Sequence, residues 1–236
     1  MRIKNLNISF KNKILLKNIS FDLKKGQALV ILGESGIGKS ILSKALVRLL
    51  NSDFILTVDE FSFNGIEILK LNKNQLRHFR SKVALVLQDS ESSLYPYIDI
   101  GKLCSLILKT HTNLNQNEYK KYVFSYFEKL GFENLDLLWH SYPYELSVGM
   151  ARRVSLALAL LHRPEVLICD EISASLDEKN NQKIIEILKD LKKDIALVCI
   201  THDLHLANSL ADKFLLIEKD QAKLYTSNLF LKKNNA

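Results

Sequence analysis

Residues 33–40 read Gly-Glu-Ser-Gly-Ile-Gly-Lys-Ser and match the phosphate-binding pattern G-x-x-x-x-G-K-[ST] at every fixed position. The glycines allow a tight turn in which successive backbone N–H groups face one anion. Lys39 can reach the β- and γ-phosphates of a nucleoside triphosphate, and the Ser40 hydroxyl can bind Mg²⁺. The residues predicted to hold the nucleotide are Gly33, Glu34, Ser35, Gly36, Ile37, Gly38, Lys39 and Ser40.

Polar side chains at the ends of three apolar runs could complete a hydrolytic site. Asp170 can hold the Mg²⁺ hydration shell, and Glu171 can polarise the attacking water. Gln88 can place its amide oxygen on Mg²⁺ or on that water, and His202 can contact the γ-phosphate. Each of these residues alone is typical of an ordinary strand end or structural hydrogen bond, but beside a phosphate loop they predict hydrolysis of a triphosphate. The predicted metal ligands are Ser40, Gln88 and Asp170.

Strands and helices that must position these residues alternate along the chain. The loop lies between an apolar run at 28–32 and helical spacing at 41–50. Further strands are predicted at 3–10, 14–23, 54–63, 83–88, 166–169, 195–200 and twice within 213–225, and helices at 72–81, 99–109, 116–130, 148–162, 178–192 and 203–210. This alternation predicts a parallel sheet with helices on both faces, whose strand ends gather the site residues at one edge.

The predicted fold class is therefore α/β: a P-loop NTPase core with a parallel sheet, an antiparallel β side sheet and an α-helical insertion subdomain. A single domain is expected over residues 1–236, with the nucleotide-binding α/β core in 1–91 and 146–236. The helical subdomain is expected in 92–145, where the strand signals fade.

Composition limits the setting in which such a site works. The chain has 236 residues and a formal net charge of +7, but its Lys and Arg residues are dispersed. Dispersed charge is typical of solvated faces and predicts no nucleic-acid partner, while a basic surface also suits an anionic membrane leaflet. Cys104, Cys169 and Cys199 lie in apolar contexts and are predicted to be buried thiols in a reducing compartment. No apolar run approaches the roughly 18 residues that a membrane span needs, so a soluble cytosolic chain is expected.

The segment 142–160 opens with Tyr-Pro-Tyr-Glu-Leu-Ser-Val-Gly-Met and continues with helical spacing. Ser147 is a good helix N-cap, and Gly149 would let another group approach the backbone closely. On local evidence an ordinary capped helix explains this segment equally well.

In their order along the chain, these motifs resemble those of the ATP-binding subunits of ABC transporters, and the resemblance covers nearly the whole sequence. It is carried by the phosphate loop 33–40, Gln88 (Q-loop), Leu146–Met150 (signature), Asp170 with Glu171 (Walker B and catalytic base), Ser173–Asp177 (D-loop) and His202 (switch histidine). Phe10 stands where the family has an aromatic residue that stacks on adenine. The resemblance implies ATP and Mg²⁺ as ligands, with Glu171 and His202 as the catalytic residues.

Two stretches are similar to the peptide and nickel importer branch of that family. Residues 88–96, Gln-Asp-Ser-Glu-Ser-Ser-Leu-Tyr-Pro, resemble its Gln-Asp-Pro-x-x-Ser-Leu-Asn-Pro, and residues 142–150 resemble its Tyr-Pro-x-Glu-Leu-Ser-Gly-Gly-Met. Long peptide-importing members carry a C-terminal extension with a Cys cluster, which this sequence lacks. The resemblance thus favours the shorter, nickel- or metal-importing kind.

The resemblance also implies partners. Two ATP-binding subunits pack head to tail, so that Ser147 and Gly149 contact a nucleotide held by the phosphate loop of the other subunit. Closure on ATP and reopening after hydrolysis drive transmembrane permease subunits, which contact 92–145, and a solute-binding protein takes part indirectly. The implied location is peripheral, at the cytoplasmic face of the cell (inner) membrane.

Three departures from the family pattern bear on the second ATP-binding subunit. Val148 replaces the first signature glycine, and a valine does not readily take a positive φ and could crowd the ligand. Ile172 replaces the proline that usually follows the catalytic Glu, and Ala174-Ser175 reverses the usual Ser-Ala of the D-loop. These departures favour an asymmetric heterodimer over a homodimer, with one ATP site stronger than the other.

Other functions are weighed against the same residues. The alternative is a non-transport ABC-type ATPase in DNA repair or associated with the ribosome, yet the long coiled-coil or zinc insertions of the former and the fused second cassette of the latter are missing. A GTPase would need an Asn-Lys-x-Asp motif, and Asn72–Gln75 fails at its last residue. A small P-loop kinase would leave the signature helix and His202 unexplained.

Overall fold

A computed structural model of the chain describes residues 1–11, 13–88, 94–174, 177–219 and 221–234. The strands of these residues are β1 Arg2–Phe10, β2 Lys13–Asp22, β3 Ala28–Gly33, β4 Phe54–Thr57, β5 Glu60–Phe63, β6 Ile66–Glu67, β7 Val83–Val86, β8 Val166–Asp170, β9 Ala196–Ile200, β10 Lys213–Glu218 and β11 Gln221–Thr226. The α-helices are α1 Lys39–Leu46, α2 Lys73–Lys82, α3 Ile100–His111, α4 Gln116–Lys129, α5 Leu135–His140, α6 Val148–Leu160, α7 Glu178–Lys192, α8 Leu204–Leu210 and α9 Ser227–Asn234.

The central sheet has the strand order β11-β10-β3-β9-β8-β7, and every neighbouring pair from β10 to β7 is parallel. Strands β8 and β9 are buried along their whole length, as expected for parallel strands that are covered on both faces. Because parallel strands end at the same edge, the carboxyl ends of β3, β9, β8 and β7 lie side by side. The phosphate loop, Gln88, Glu171 and His202 follow these four ends, and Asp170 is the last residue of β8.

Alternation along β3 separates two layers of apolar core. Ala28 and Val30 pack in the layer that contains helices α3 to α8, whereas Leu29 and Ile31 pack in the layer formed by α1, α2 and a second sheet. The parallel sheet therefore has helices on both of its faces, as the alternation of strands and helices predicts.

The second sheet is antiparallel and has the order β2-β1-β5-β6, with β4 also paired to β1. The prediction of one strand over 54–63 is wrong, because β4 and β5 pair with different halves of β1. The break coincides with Asn5, whose φ is 52°. Its side chain donates to Asp59, and the Asp59 N–H donates to the Lys4 carbonyl at 3.0 Å. These bonds hold the chain at the kink between the two strands.

Residues 94–145 contain α3, α4 and α5 and no strand, while residues 92 and 93 lie outside the described part of the chain. The sequence pattern does not predict α5 or α9. Helix α5 is too short to show a period, and the side chain of Asn134 caps it. Helix α9 is held by Phe230, whose ring stacks on Phe214 with centroids 4.1 Å apart. No helix in the described ranges combines the length and the apolarity needed to cross a membrane.

Candidate nucleotide-binding site

The phosphate loop joins β3 directly to α1, and two of its glycines are required by its shape. Gly38 has a φ of 107°, in the left-handed region, and forms the N-cap of α1. A Cβ atom on Gly33 would lie 2.7 Å from the carbonyl oxygen of Ile217 on the neighbouring strand β10. The loop therefore keeps this path only with glycine at both positions.

Lys39 lies inside the curve of this loop, where it is only 8% exposed. Its Nζ donates to the carbonyl oxygens of Gly33 at 2.8 Å and Glu34 at 2.9 Å. An ammonium group has three N–H donors, and these contacts use two of them. Since Glu34, Ser35 and the following glycine are exposed at the tip of the loop, a phosphate can reach the ammonium from solvent.

Asp170 ends β8 beneath the loop and is 1% exposed. Burial raises the pKa of its carboxyl, while the hydroxyls of Ser40 and Ser43 oppose that shift. Ser43 Oγ donates to Asp170 Oδ2 at 3.0 Å, whereas the buried Oδ1 has no hydrogen bond from any described residue. A buried carboxylate oxygen without a donor, beside a serine hydroxyl, fits a site for a hard cation such as Mg²⁺.

Metal-ligating side chains are otherwise sparse, since the described ranges contain no group of three or more His, Cys, Asp and Glu residues able to hold an ion.

Glu171 leaves the strand with an unusual backbone. Its φ is 53°, and its N–H donates to the Ile200 carbonyl on β9 at 2.9 Å. A positive φ is costly for a residue with a Cβ, and such strain tends to be kept at functional sites. The side chain is nearly buried, and its Oε2 lies 2.9 Å from Nδ1 of His202, whose side chain is 72% exposed. The ends of β8 and β9 thus bring a buried carboxylate and an accessible imidazole together.

Gln88 and Phe10 lie at the margins of this arrangement. Strand β7 ends at Val86, two residues earlier than predicted, so Gln88 stands beyond the strand and is exposed. Residues 89–93 of the predicted Q-loop motif lie outside the described part of the chain. Phe10 ends β1 and is half-buried, with its ring 4.8 Å from that of Phe54 between centroids. The β1–β2 hairpin reaches the phosphate loop through Leu16, which lies 3.3 Å from where a Cβ on Gly38 would be.

The signature residues stand at the N-terminus of α6. The Met150 N–H donates to Ser147 Oγ at 3.3 Å, so Ser147 caps the helix, and it is exposed. Val148 is the first residue of the helix, so its backbone is not left-handed and the strain expected from a positive φ is not present. Its side chain is 45% exposed. Gly149 is buried, and a Cβ there would lie 3.3 Å from Cγ of Asn180 on α7.

Two residues near the site were missed from the sequence. Ser43, which bonds Asp170, stands three residues after Ser40 on α1, and this helical spacing could have indicated that both face the same strand. Arg152 on α6 donates to the carbonyls of Ile172 and Ala174, beyond Glu171 in the chain. The signal for its burial in the sequence is weak: Met150, Ala151 and Val154 nearby are apolar, but the next residue is Arg153. Ser175 and Leu176 of the predicted D-loop lie outside the described residues.

Comparison with known proteins gives a consistent result. The profile of the family described as ABC transporter matches residues 16–174, more than half of this chain. The ATP-binding protein of a metal-staphylopine import system from Staphylococcus aureus is 33% identical over 226 residues, which cover 94% of this chain and 83% of that protein. An oligopeptide transport ATP-binding protein from Bacillus subtilis is 33% identical over 221 residues, which cover 90% of this chain and 62% of that protein.

Solved structures share the fold. An ATP-binding cassette in a dimeric post-hydrolysis state with ADP and Pi superposes with a TM-score of 0.80 at 23% identity, covering 96% of this chain and 98% of that one. A subunit of an ABC transporter complex from Clostridium perfringens gives 0.80 at 24% identity, covering 99% and 91%.

Proposed function

The chain belongs to the ABC transporter family, and from that premise we propose that it is the ATP-hydrolysing subunit of an importer for peptides or for a metal such as nickel. The observation that carries the proposal is the 2.9 Å contact between His202 Nδ1 and Glu171 Oε2, at strand ends next to the phosphate loop. A buried carboxylate beside an accessible imidazole, with an oxygen that no described residue hydrogen-bonds, suits a base that must act on a water beside a bound phosphate.

The reaction is ATP + H₂O → ADP + phosphate. Glu171 accepts a proton from the attacking water as the water oxygen bonds to the γ-phosphorus. The bond from that phosphorus to the oxygen bridging the β-phosphate breaks, and ADP leaves with the electron pair. Lys39 exchanges its loop carbonyls for the β- and γ-phosphates, and His202 orients Glu171 and the water at the γ-phosphate.

Ser40, Gln88 and Asp170 are the residues that would hold Mg²⁺. When bound, the ion neutralises charge on the phosphate oxygens. The buried Asp170 Oδ1 supports this assignment, because a water of the ion's shell can donate the hydrogen bond that it lacks from the described residues. Phe10 is assigned to the adenine ring, and support comes from its position on the hairpin that packs against Gly38 through Leu16.

The signature end of α6 serves a second nucleotide, held by another ATP-binding subunit. The N-terminus of a helix offers unpaired N–H groups and partial positive charge to an anion. Ser147 is exposed there and carries this assignment, whereas Gly149 is buried against Asn180 of α7. The exposed Val148 side chain would narrow that second site, which favours a heterodimer with unequal sites over a homodimer.

Permease subunits bind the helical subdomain, 92–145, and hold the chain at the cytoplasmic face of the cell membrane, with a solute-binding protein acting indirectly. Exposed tyrosines shortly before α3 support a protein contact there: Tyr95 and Tyr97. No nucleic-acid partner is proposed.

The proposal keeps both cargo classes. Two relatives that are each 33% identical to this chain are named for a metal-staphylopine import system and for oligopeptide transport. Their names support a metal complex or a peptide as the cargo.

The test is phosphate release and assembly state of the purified chain, alone and with a candidate partner ATPase, in ATP and Mg²⁺. Glu171→Gln is expected to keep ATP binding, to form an ATP-dependent two-subunit assembly and to lose turnover by about 100-fold or more, since positioned bases contribute this much. Glu128→Gln, the same exchange on the exposed face of α4, is the matched control and should behave as the wild type. Wild-type turnover in Glu171→Gln would exclude Glu171 as the base.

A further inference from the structure

Arg152 is a buried guanidinium that joins separate segments of the site. It stands on the second turn of α6 and is 5% exposed. Its Nη1 donates to the Ile172 carbonyl at 2.9 Å and to the Ala174 carbonyl, and its Nη2 lies 3.5 Å from the Gln88 carbonyl. One side chain of the signature helix therefore holds the turn after Glu171 and touches the start of the Q-loop.

The neighbouring Arg153 provides an internal comparison. It is also buried, at 9% exposed, but it donates to the carbonyls of Leu130 at 3.1 Å and Gly131 at 2.9 Å, and its guanidinium lies 4.4 Å from the ring centroid of Phe132. Arg153 thus anchors α6 to the turn that follows α4. The two arginines have the same charge, lie on the same helix and are both buried. They differ mainly in the segments whose carbonyls they bind.

The turn held by Arg152 begins at Glu171. The Ala174 N–H donates to the Glu171 carbonyl at 3.1 Å, which closes the turn over Ile172. Glu171 itself has a φ of 53°, and such a backbone persists only where its surroundings over-determine it. The guanidinium supplies hydrogen bonds to two carbonyls of this turn, and a planar fork suits that task better than the single point charge of a lysine.

We propose that Arg152 is a positioning residue that fixes the orientation of Glu171 and couples it to the position of the signature helix. Ser147 lies on the same helix, less than two turns away, so a movement of α6 on engagement with a second subunit's nucleotide is passed through Arg152 to the turn 171–174. Each ATP site would in this way sense whether the other is occupied. The inference rests on the proposed function, since it assigns Arg152 to turnover by Glu171.

The first test is steady-state kinetics with Arg152→Gln, Arg152→Lys and Arg153→Gln. Arg152→Gln is expected to lower kcat by about tenfold or more while KM for ATP stays within about twofold, because misorientation of a base affects the chemical step. Arg152→Lys should recover part of kcat, since it keeps the charge but loses the fork. Arg153→Gln should lower Tm by a similar amount to Arg152→Gln and keep kcat at temperatures well below both transitions.

The second test is hydrogen–deuterium exchange, which needs no turnover. Arg152→Gln should speed exchange at the amides of Glu171 and Ala174, and Arg153→Gln should speed it around 130–132 instead. Equal losses of kcat in Arg152→Gln and Arg153→Gln, or unchanged exchange at 171–174 in Arg152→Gln, would overturn the positioning role. Failure of the proposed function is distinct, because it shows as a lack of phosphate release in the wild type itself.

Discussion

The edge of the central sheet and the N-terminus of α6 present their polar groups in contrasting ways. At the sheet edge Lys39, Asp170 and Glu171 are nearly buried. Lys39 and Asp170 are held by side-chain hydrogen bonds, and Glu171 is held by the bond from its backbone N–H to the Ile200 carbonyl. At the helix end Ser147 and Val148 are exposed, and the helix offers N–H groups to whatever approaches. The difference suggests that one chain holds the groups that need a dry, rigid setting and presents the others to a partner.

The polar groups of the two regions need different degrees of burial. An ionised carboxylate is stable out of water only where hydrogen bonds or a cation compensate for lost hydration, and Ser40 and Ser43 of α1 supply part of that compensation to Asp170. A capped helix end needs no such enclosure, because its N–H groups remain hydrated until an anion replaces the water. Substitutions at the sheet edge should therefore change ATP binding by the isolated chain. Substitutions at the N-terminus of α6 should change only its assembly with a second subunit.

The largest effect is expected from Lys39→Ala, which should weaken ATP binding by about 100-fold, since hydrogen bonds from a charged group contribute about 1.5–3 kcal/mol. Titration of the isolated chain with a fluorescent ATP analogue measures this. Lys73→Ala, on the exposed start of α2, is the control for lost charge. If the ATP affinity of Lys39→Ala lay within twofold of the wild-type value, the assignment of nucleotide binding to the sheet edge would be wrong.

Asp170→Asn should raise the Mg²⁺ concentration needed for tight ATP binding by about 10- to 100-fold, as loss of a residue supporting a metal shell usually does. The exchange keeps an oxygen that can accept from Ser43, so the local packing is retained. The measurement is ATP affinity across a Mg²⁺ titration. If the Mg²⁺ requirement were unchanged, the buried Oδ1 would have to be explained without the ion.

Val148→Gly tests the N-terminus of α6 separately from the sheet edge. Removing the exposed isopropyl group should strengthen ATP-dependent assembly in the Glu171→Gln background by about fivefold, equivalent to about 1 kcal/mol. ATP affinity of the isolated subunit should not change, because Val148 stands on α6 and not on the phosphate loop. Sedimentation with the partner ATPase measures the first quantity. A change in the affinity of the isolated subunit would mean that the two regions are not separate.

The smallest effect concerns stability. Burial raises the pKa of Asp170, so the folded chain binds that proton more tightly than the unfolded chain and the ionised group lowers stability at neutral pH. Without ligands, Asp170→Asn should raise Tm near pH 7 by about 2 °C, a shift typical of a change below 1 kcal/mol at this chain length. The gain should shrink as the pH falls through the raised pKa and vanish below the ordinary range of an aspartate. A gain that is constant with pH would point to packing instead of charge.

Local patterns were sufficient for much of this molecule. The phosphate loop follows from glycines that alone permit its turns, and its position between β3 and α1 follows from apolar runs of different period. The meeting of Glu171 and His202 at one edge follows from the rule that parallel strands end together. These inferences succeed because backbone geometry and burial are encoded over a few consecutive residues.

Contacts between distant residues were decided only by the tertiary structure. The bond from Ser43 to Asp170 joins positions far apart in the chain, as do the bonds from Arg152 to the turn after Glu171. The sequence by itself determined which groups could bind and hydrolyse a triphosphate, because residue type and local spacing set that chemistry. Which of them are buried, which face outward and what orients the base were decided by packing, because those properties depend on neighbours brought together only when the sheets and helices assemble.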